Sequence, residues 1–128
     1  MSYLLDTNVA IHLRDGNGDI VDKVVALQGA VLLSVVSRVE LEGGVYRDPA
    51  QAQHRRPRLD AILDVLPVLA FDDAAADAYR NIVEVAGYSG RKLLDRMIAA
   101  QALVHRATLV TMNSADFRDV PGLSLLEW

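Results

Sequence analysis

The sequence predicts an α/β fold: one domain, residues 1–128, with a central, mostly parallel five-stranded sheet and helices on both faces. Three observations carry this expectation. Short apolar runs alternate with stretches of helical spacing, the pattern of right-handed β–α–β crossovers. The runs are leucine-rich or β-branched and lack polar alternation, as strands covered on both faces do. At 128 residues, 52% of them hydrophobic, the chain can bury one sizeable core, and it carries no repeat, linker or low-complexity tract.

Residues Tyr3–Leu5 make the first strand, and Asp6 either caps the helix that follows or forms one wall of a site. Ile20, Val21, Val24, Leu27 and Gln28 then lie along one side of a helix. Val31–Val36 is the second strand, and the helix after it contains Gly43 and Gly44. Each glycine costs about 1 kcal/mol relative to alanine inside a helix. Close packing against another helix, within the chain or across a dimer, would account for them, as would a kink or an early end. Val65–Ala70 is the third strand; Pro67 cannot donate to a ladder, which puts this strand at an edge. Ala75, Ala78, Ile82 and Val85 form the next helical stripe. A helix over Leu93–His105 should bury Leu94, Met97, Ile98 and Ala102, and Thr108–Thr111 and Leu123–Leu126 complete the sheet.

Composition removes several classes. With no cysteine there is no disulfide framework and no thiolate metal site, which suits a reducing cytoplasm. Asp6 breaks the first apolar run too early for a signal peptide, and no run reaches the roughly 20 apolar residues of a membrane span. His12, His54 and His105 are scattered without the spacing of a zinc motif and read as surface or packing residues. There is no phosphate-binding glycine loop and no Gly-x-Ser-x-Gly elbow. A net charge of −4 does not by itself argue for a nucleic-acid partner, so the placement of charge matters more than its sum.

That placement is informative. In a doubly wound sheet, ligands bind beyond the carboxyl ends of the strands. Asp6 follows the first strand, Ser37 and Glu40 the second, and Asn113 and Asp116 the fourth. Asp95 opens the helix that feeds the fourth strand, so it belongs to the same rim. Each residue has a plain structural use: Asp6 as a cap, Ser37 to Glu40 as a capping box, Asn113 and Asp116 as a turn cap, Asp95 as a first-turn acid. Capping does not require four carboxylates to share an edge, however. Their repulsion must be relieved by protonation or by a cation, and an all-oxygen set suits Mg²⁺, or Mn²⁺. Such an ion serves phosphoryl chemistry.

Basic residues flank the acids: Arg38, Arg91, Lys92 and Arg96. A compact run, "HRRPR" at 54–58, adds Arg55 and Arg56. These are candidate RNA-phosphate contacts, with a solvated helix face as the alternative for the run.

The stretches "LLDTNVAI", "SRVELEGG", "DRMIAAQAL" and "LVTMNSADFRDVPGL" occur in that order, and with them the chain resembles PIN-domain ribonucleases of the VapC type, the toxins of bacterial toxin–antitoxin pairs. The resemblance spans Tyr3 to Trp128. It implies a Mg²⁺-dependent endoribonuclease that leaves 5′-phosphate and 3′-hydroxyl ends. Its acidic cluster would be Asp6, Glu40, Asp95 and Asp116, with Asp6 and Asp95 holding the principal ion. Thr7, Asn8, Ser37 and Asn113 would orient them. It further implies RNA as substrate, a cognate antitoxin and a homodimer. Residues 43–63 match no motif; in the family this region forms a helix pair often used in dimerisation. A housekeeping or catalytically inactive RNA-binding PIN domain is the alternative. A haloacid-dehalogenase-like phosphatase also begins with a strand ending in Asp, but it needs a second Asp where this chain has Asn8.

Overall fold

A computed structural model describes residues 1–128. Its elements run β1 (Ser2–Leu5), α1 (Thr7–Arg14), α2 (Gly18–Ala26), β2 (Ala30–Ser34), α3 (Val35–Arg47), α4 (Ala52–Val65), β3 (Val68–Leu69), α5 (Asp73–Ala86), α6 (Leu93–His105), β4 (Thr108–Thr111) and β5 (Leu125–Glu127). Short 3-10 turns cover Pro49–Gln51 and Ser114–Phe117. All five strands are parallel, in the order β3-β2-β1-β4-β5.

This order places the reversal between β1 and β4. The chain winds outward from β1 through β2 to β3, then returns across the sheet to β4 and β5. Both neighbours of Leu5, Leu33 and Val110, are buried, so the centre of the sheet is dry. Successive strand residues feed opposite layers, as the pleat requires. Leu4 and Leu109 pack with Ile82, Ile98, Ala99 and Phe117 under α5 and α6. Leu5 and Val110 pack with Val9 and Ile20 under α1 and α2. Helix α3 passes between the layers: Val36 joins the first cluster, while Leu41 and Val45 join Ala10, Leu33 and Leu59 on the other side.

The fold class holds, and so does the edge position of the third strand, although Pro67 lies just before that strand and not inside it. β3 is outermost, and Pro67 offers only its carbonyl, which accepts from Leu33 N at 2.9 Å. Boundaries differ for local reasons. The second strand ends at Ser34, not Val36, because the Ser34 hydroxyl accepts from Val36 N at 3.0 Å and caps α3. Val65 closes α4 instead of opening β3, and Leu27 and Gln28 lie beyond α2. On α6, Ile98 and Ala102 are buried as expected, but Leu94 is exposed because its turn faces the open rim of the sheet. Val85 is likewise exposed on α5. No helix is long and apolar enough to cross a membrane.

Candidate active site

Asp6 leaves the carboxyl end of the central strand with its backbone still in the ladder, donating from N to Val110 O at 2.9 Å. Its side chain is almost fully buried and held from two sides. Thr7 N donates to Oδ1 at 2.6 Å, and the Thr111 hydroxyl donates to Oδ2 at 2.8 Å. Capping and fixation are therefore one arrangement. A carboxylate has about four lone-pair sites, so each oxygen keeps one free.

Thr7 is the hub of the site. Its hydroxyl donates to Glu40 Oε1 at 3.0 Å and lies 2.8 Å from Ser37 Oγ. With its one proton given to Glu40, Thr7 must accept from Ser37. Ser37 is fully buried inside the first turn of α3 and caps nothing. The capping-box reading of Ser37 and Glu40 thus fails: Ser34 holds the cap, which frees both side chains to face α1.

Asp95 stands in the first turn of α6 with no side-chain hydrogen bond; burial, then the charges of Asp6, Asp116 and Glu40, push its carboxyl up to about 6 against the pull of Lys92. Asp6 is also raised, first by burial and further by Asp116, while Thr111 and Thr7 oppose the shift. Asp116 is tied to Asn113, whose Nδ2 donates to Oδ2 at 2.8 Å. Asn113 therefore orients an acid; it makes no side-chain cap to its turn. Asp95 thus feels the charges of the other three acids, and Asp6 that of Asp116, across the rim. A cavity of about 280 Å³ opens among Asp6, Thr7, Asn8, Glu40, Arg91 and Asp95. Asn8 is exposed on its wall.

No three of these carboxylates already stand close enough to grip one ion together. The donor set nevertheless suits a hard divalent ion: all oxygen, like-charged, and with Asp95 free of side-chain hydrogen bonds and able to adjust. Such a site at the switch point of a parallel sheet is where this architecture binds ligands.

Residues 3–123 match the family model of the PIN domain. The chain belongs to the PIN-domain family. It is 27% identical to Ribonuclease VapC2 of Rickettsia felis over 133 residues, covering 100% of this chain and 98% of that protein. It is 26% identical to the tRNA(fMet)-specific endonuclease VapC of Shigella flexneri, over 100% of this chain and 98% of that one. Among solved structures, VapBC2 from Rickettsia felis bound to a DNA fragment from its promoter superposes with a TM-score of 0.85, at 27% identity, covering 100% of this chain and 99% of that one.

Around the acids of this PIN domain the basic residues divide into two sets. Arg91 is exposed on the cavity wall and forms no ion pair, and Arg38 lies on the surface 3.9 Å from Glu42. Arg96, expected among the RNA contacts, is buried instead: Nη1 donates to Gly87 O at 2.6 Å and Nη2 to Asp119 at 3.0 Å. It braces the loop between α5 and α6 because an unpaired guanidinium there would be too costly to bury. Lys92 joins the same brace, 3.1 Å from Asp119. Arg56, from the basic run, is engaged by Asp60 at 2.6 Å and Glu42 at 2.7 Å. Arg55 donates to Gly44 O at 2.8 Å and has no carboxylate partner.

Thr111 and Asp119 were not foreseen as part of the site. Thr111 reads as one more β-branched strand residue. Only the register shows its use: Leu5 pairs with Val110, so the next residues, Asp6 and Thr111, leave the sheet side by side.

Proposed function

We propose that this PIN domain is a divalent-metal-dependent endoribonuclease of the VapC kind, a toxin silenced by a cognate antitoxin and acting as a homodimer. The observation that carries the reading is that Asp6, Glu40 and Asp95 line one cavity at the crevice where the strand order reverses, with Asp116 near enough for its charge to act on Asp6 and Asp95. Relatives named as ribonuclease and tRNA endonuclease, aligned over the full chain, support RNA as the substrate class. The VapBC2 structure from Rickettsia felis supports a protein partner.

Asp6 and Asp95 would hold the ion, with Glu40 and Asp116 completing its surroundings. Bound Mg²⁺ or Mn²⁺ would lower the pKa of the attacking water and offset charge on the phosphate. The chain's own residues do the preparation. Thr7 and Thr111 hold the Asp6 carboxylate in one rotamer, so its orientation need not be found at the moment of reaction. The Ser37–Thr7–Glu40 relay fixes the second acid across the cleft. Asn113 orients Asp116, and Arg91 offers an unpaired positive charge to the phosphate.

Total RNA incubated with the antitoxin-free protein should yield discrete fragments in Mg²⁺ or Mn²⁺. Chelator, or Asp6→Asn in a folded variant, should abolish them. Cleavage that persists in the folded variant would refute the assignment of Asp6. Failure of the metal-loaded wild type to cut would point to a binding-only domain.

A further inference from the structure

Next to the acid cavity lies a larger one of about 670 Å³, and Glu40 lines both. Its floor is one face of α3. Glu40, Gly43, Gly44 and Arg47 recur at i, i+3, i+4 and i+7, covering about 10 Å of helix axis. Gly44 is explained within the chain, since a Cβ there would come within 2.9 Å of Arg14 Nη1. Gly43 is not. A Cβ added to it meets nothing within 4 Å, so no neighbour repays a glycine in mid-helix. Its effect is to leave the cavity floor bare, so that a ligand can lie against the helix backbone.

The walls carry charge of two kinds. Arg14 is buried and paired with Asp15 at 3.0 Å, and Asp48 is engaged as the cap of Ala50 N at 3.1 Å. Arg47 is exposed and forms no ion pair, while Arg55 spends one nitrogen on Gly44 O and forms no ion pair either, in a cavity that Asp15, Glu40 and Asp48 also line. One free guanidinium, that of Arg47, and the remaining N–H groups of Arg55 therefore overlook a groove that adjoins the acid pocket at Glu40. Planar N–H forks of this sort match phosphate oxygens.

We propose that this cavity is a backbone subsite for the single-stranded RNA flanking the cleaved bond. Arg47 and Arg55 each hold a phosphate, and the strand lies over Gly43 and Gly44 on its way from Glu40. The subsite rests on the ribonuclease reading above.

Binding of a short oligouridylate, measured by fluorescence anisotropy across a salt series in the Asp6→Asn background, tests it without cleavage. Arg47→Gln should make the slope of log K against log salt shallower by about 0.7, the share of one phosphate on a single strand. Gly43→Ala should raise the melting temperature, because it removes a helix glycine, and yet lose RNA affinity severalfold. Parental affinity and slope in both variants would overturn the subsite, as would no binding of oligouridylate at all. Cleavage of total RNA in the wild-type background separates the two readings. If Arg47→Gln cuts with an unchanged KM, the subsite is wrong and the nuclease stands. If the wild type neither binds nor cuts RNA in metal, the nuclease reading fails and the subsite falls with it.

Discussion

Thr111 contributes a single proton to the site, and that proton decides how Asp6 stands. Thr111→Val keeps the shape but leaves Asp6 Oδ2 without its donor in a nearly buried position. Such a loss costs about 1–3 kcal/mol. Urea unfolding should show that loss, and RNA cleavage should fall roughly 10–100-fold, the usual penalty for removing a ligand's orienting partner. A variant as active as wild type would mean that Thr7 alone orients Asp6. Asp95 predicts a pH effect whose sign follows from its raised carboxyl. In the metal-free protein the folded state keeps this proton up to about 6, while the unfolded state loses it near 3.8. The folded state thus binds more protons between those values, and stability falls as pH rises through that window. With Asp95 half exposed, the effect is about 1 kcal/mol after solvent screening. Melting temperatures from pH 4 to 7 should decline less steeply in Asp95→Asn. Added Mg²⁺ should stabilise the wild type at pH 7.5 and lose that effect at pH 5, where the ligand is protonated.

The loop between α5 and α6 is held by chemistry that belongs to no regular element. Gly87 ends α5 at φ 83, a left-handed turn that favours glycine, and its carbonyl accepts from Arg96. Asp119 receives both Lys92 and Arg96; burial opposes its ionisation, but the two cations hold its carboxyl below the usual range. Arg96 Nε already lacks a partner, so Asp119→Ala leaves a buried guanidinium still less satisfied. A loss of about 1–3 kcal/mol follows. Hydrogen exchange should quicken at the amides of residues 87–92, where Arg91 sits. Unchanged protection there would show that the α5–α6 packing holds the loop without the brace. The basic run in α4 illustrates the opposite case. "HRRPR" looks like a solvated charge patch, yet Arg55, Arg56 and Arg58 turn to Gly44 O, Asp60 and Asp15 O. Helix α4 uses these charges to tie itself to α3 and to the end of α1.

Across the whole molecule, the two layers of the core meet at the β1–β4 reversal, and every site acid lies on the rim above it. Exposed apolar side chains, Val39 and Leu94, stand on the same rim beside Glu40 and Asp95. The homodimer proposed above predicts a sedimentation mass of two chains at micromolar concentration. A monomer at all concentrations would remove that part of the reading and leave the single-chain acid site intact.

The strand-and-helix alternation, the parallel sheet, the edge position of the third strand and the candidate acids were all legible in the chain. Each depends on local rules: the apolar period, the missing proline N–H, and the polar residue that directly follows a buried run. The resemblance in four ordered motifs extended this to the family, and the match over residues 3–123 agrees. What local rules do not contain is who faces whom. That Ser34 and not Ser37 caps α3, that Arg96 is buried and Arg47 free, and that Thr111 meets Asp6 are outcomes of register and helix rotation. Those are settled only when apolar faces from distant parts of the chain pack together, because the free energy that chooses them comes from burial between elements and not from the preferences of any one segment.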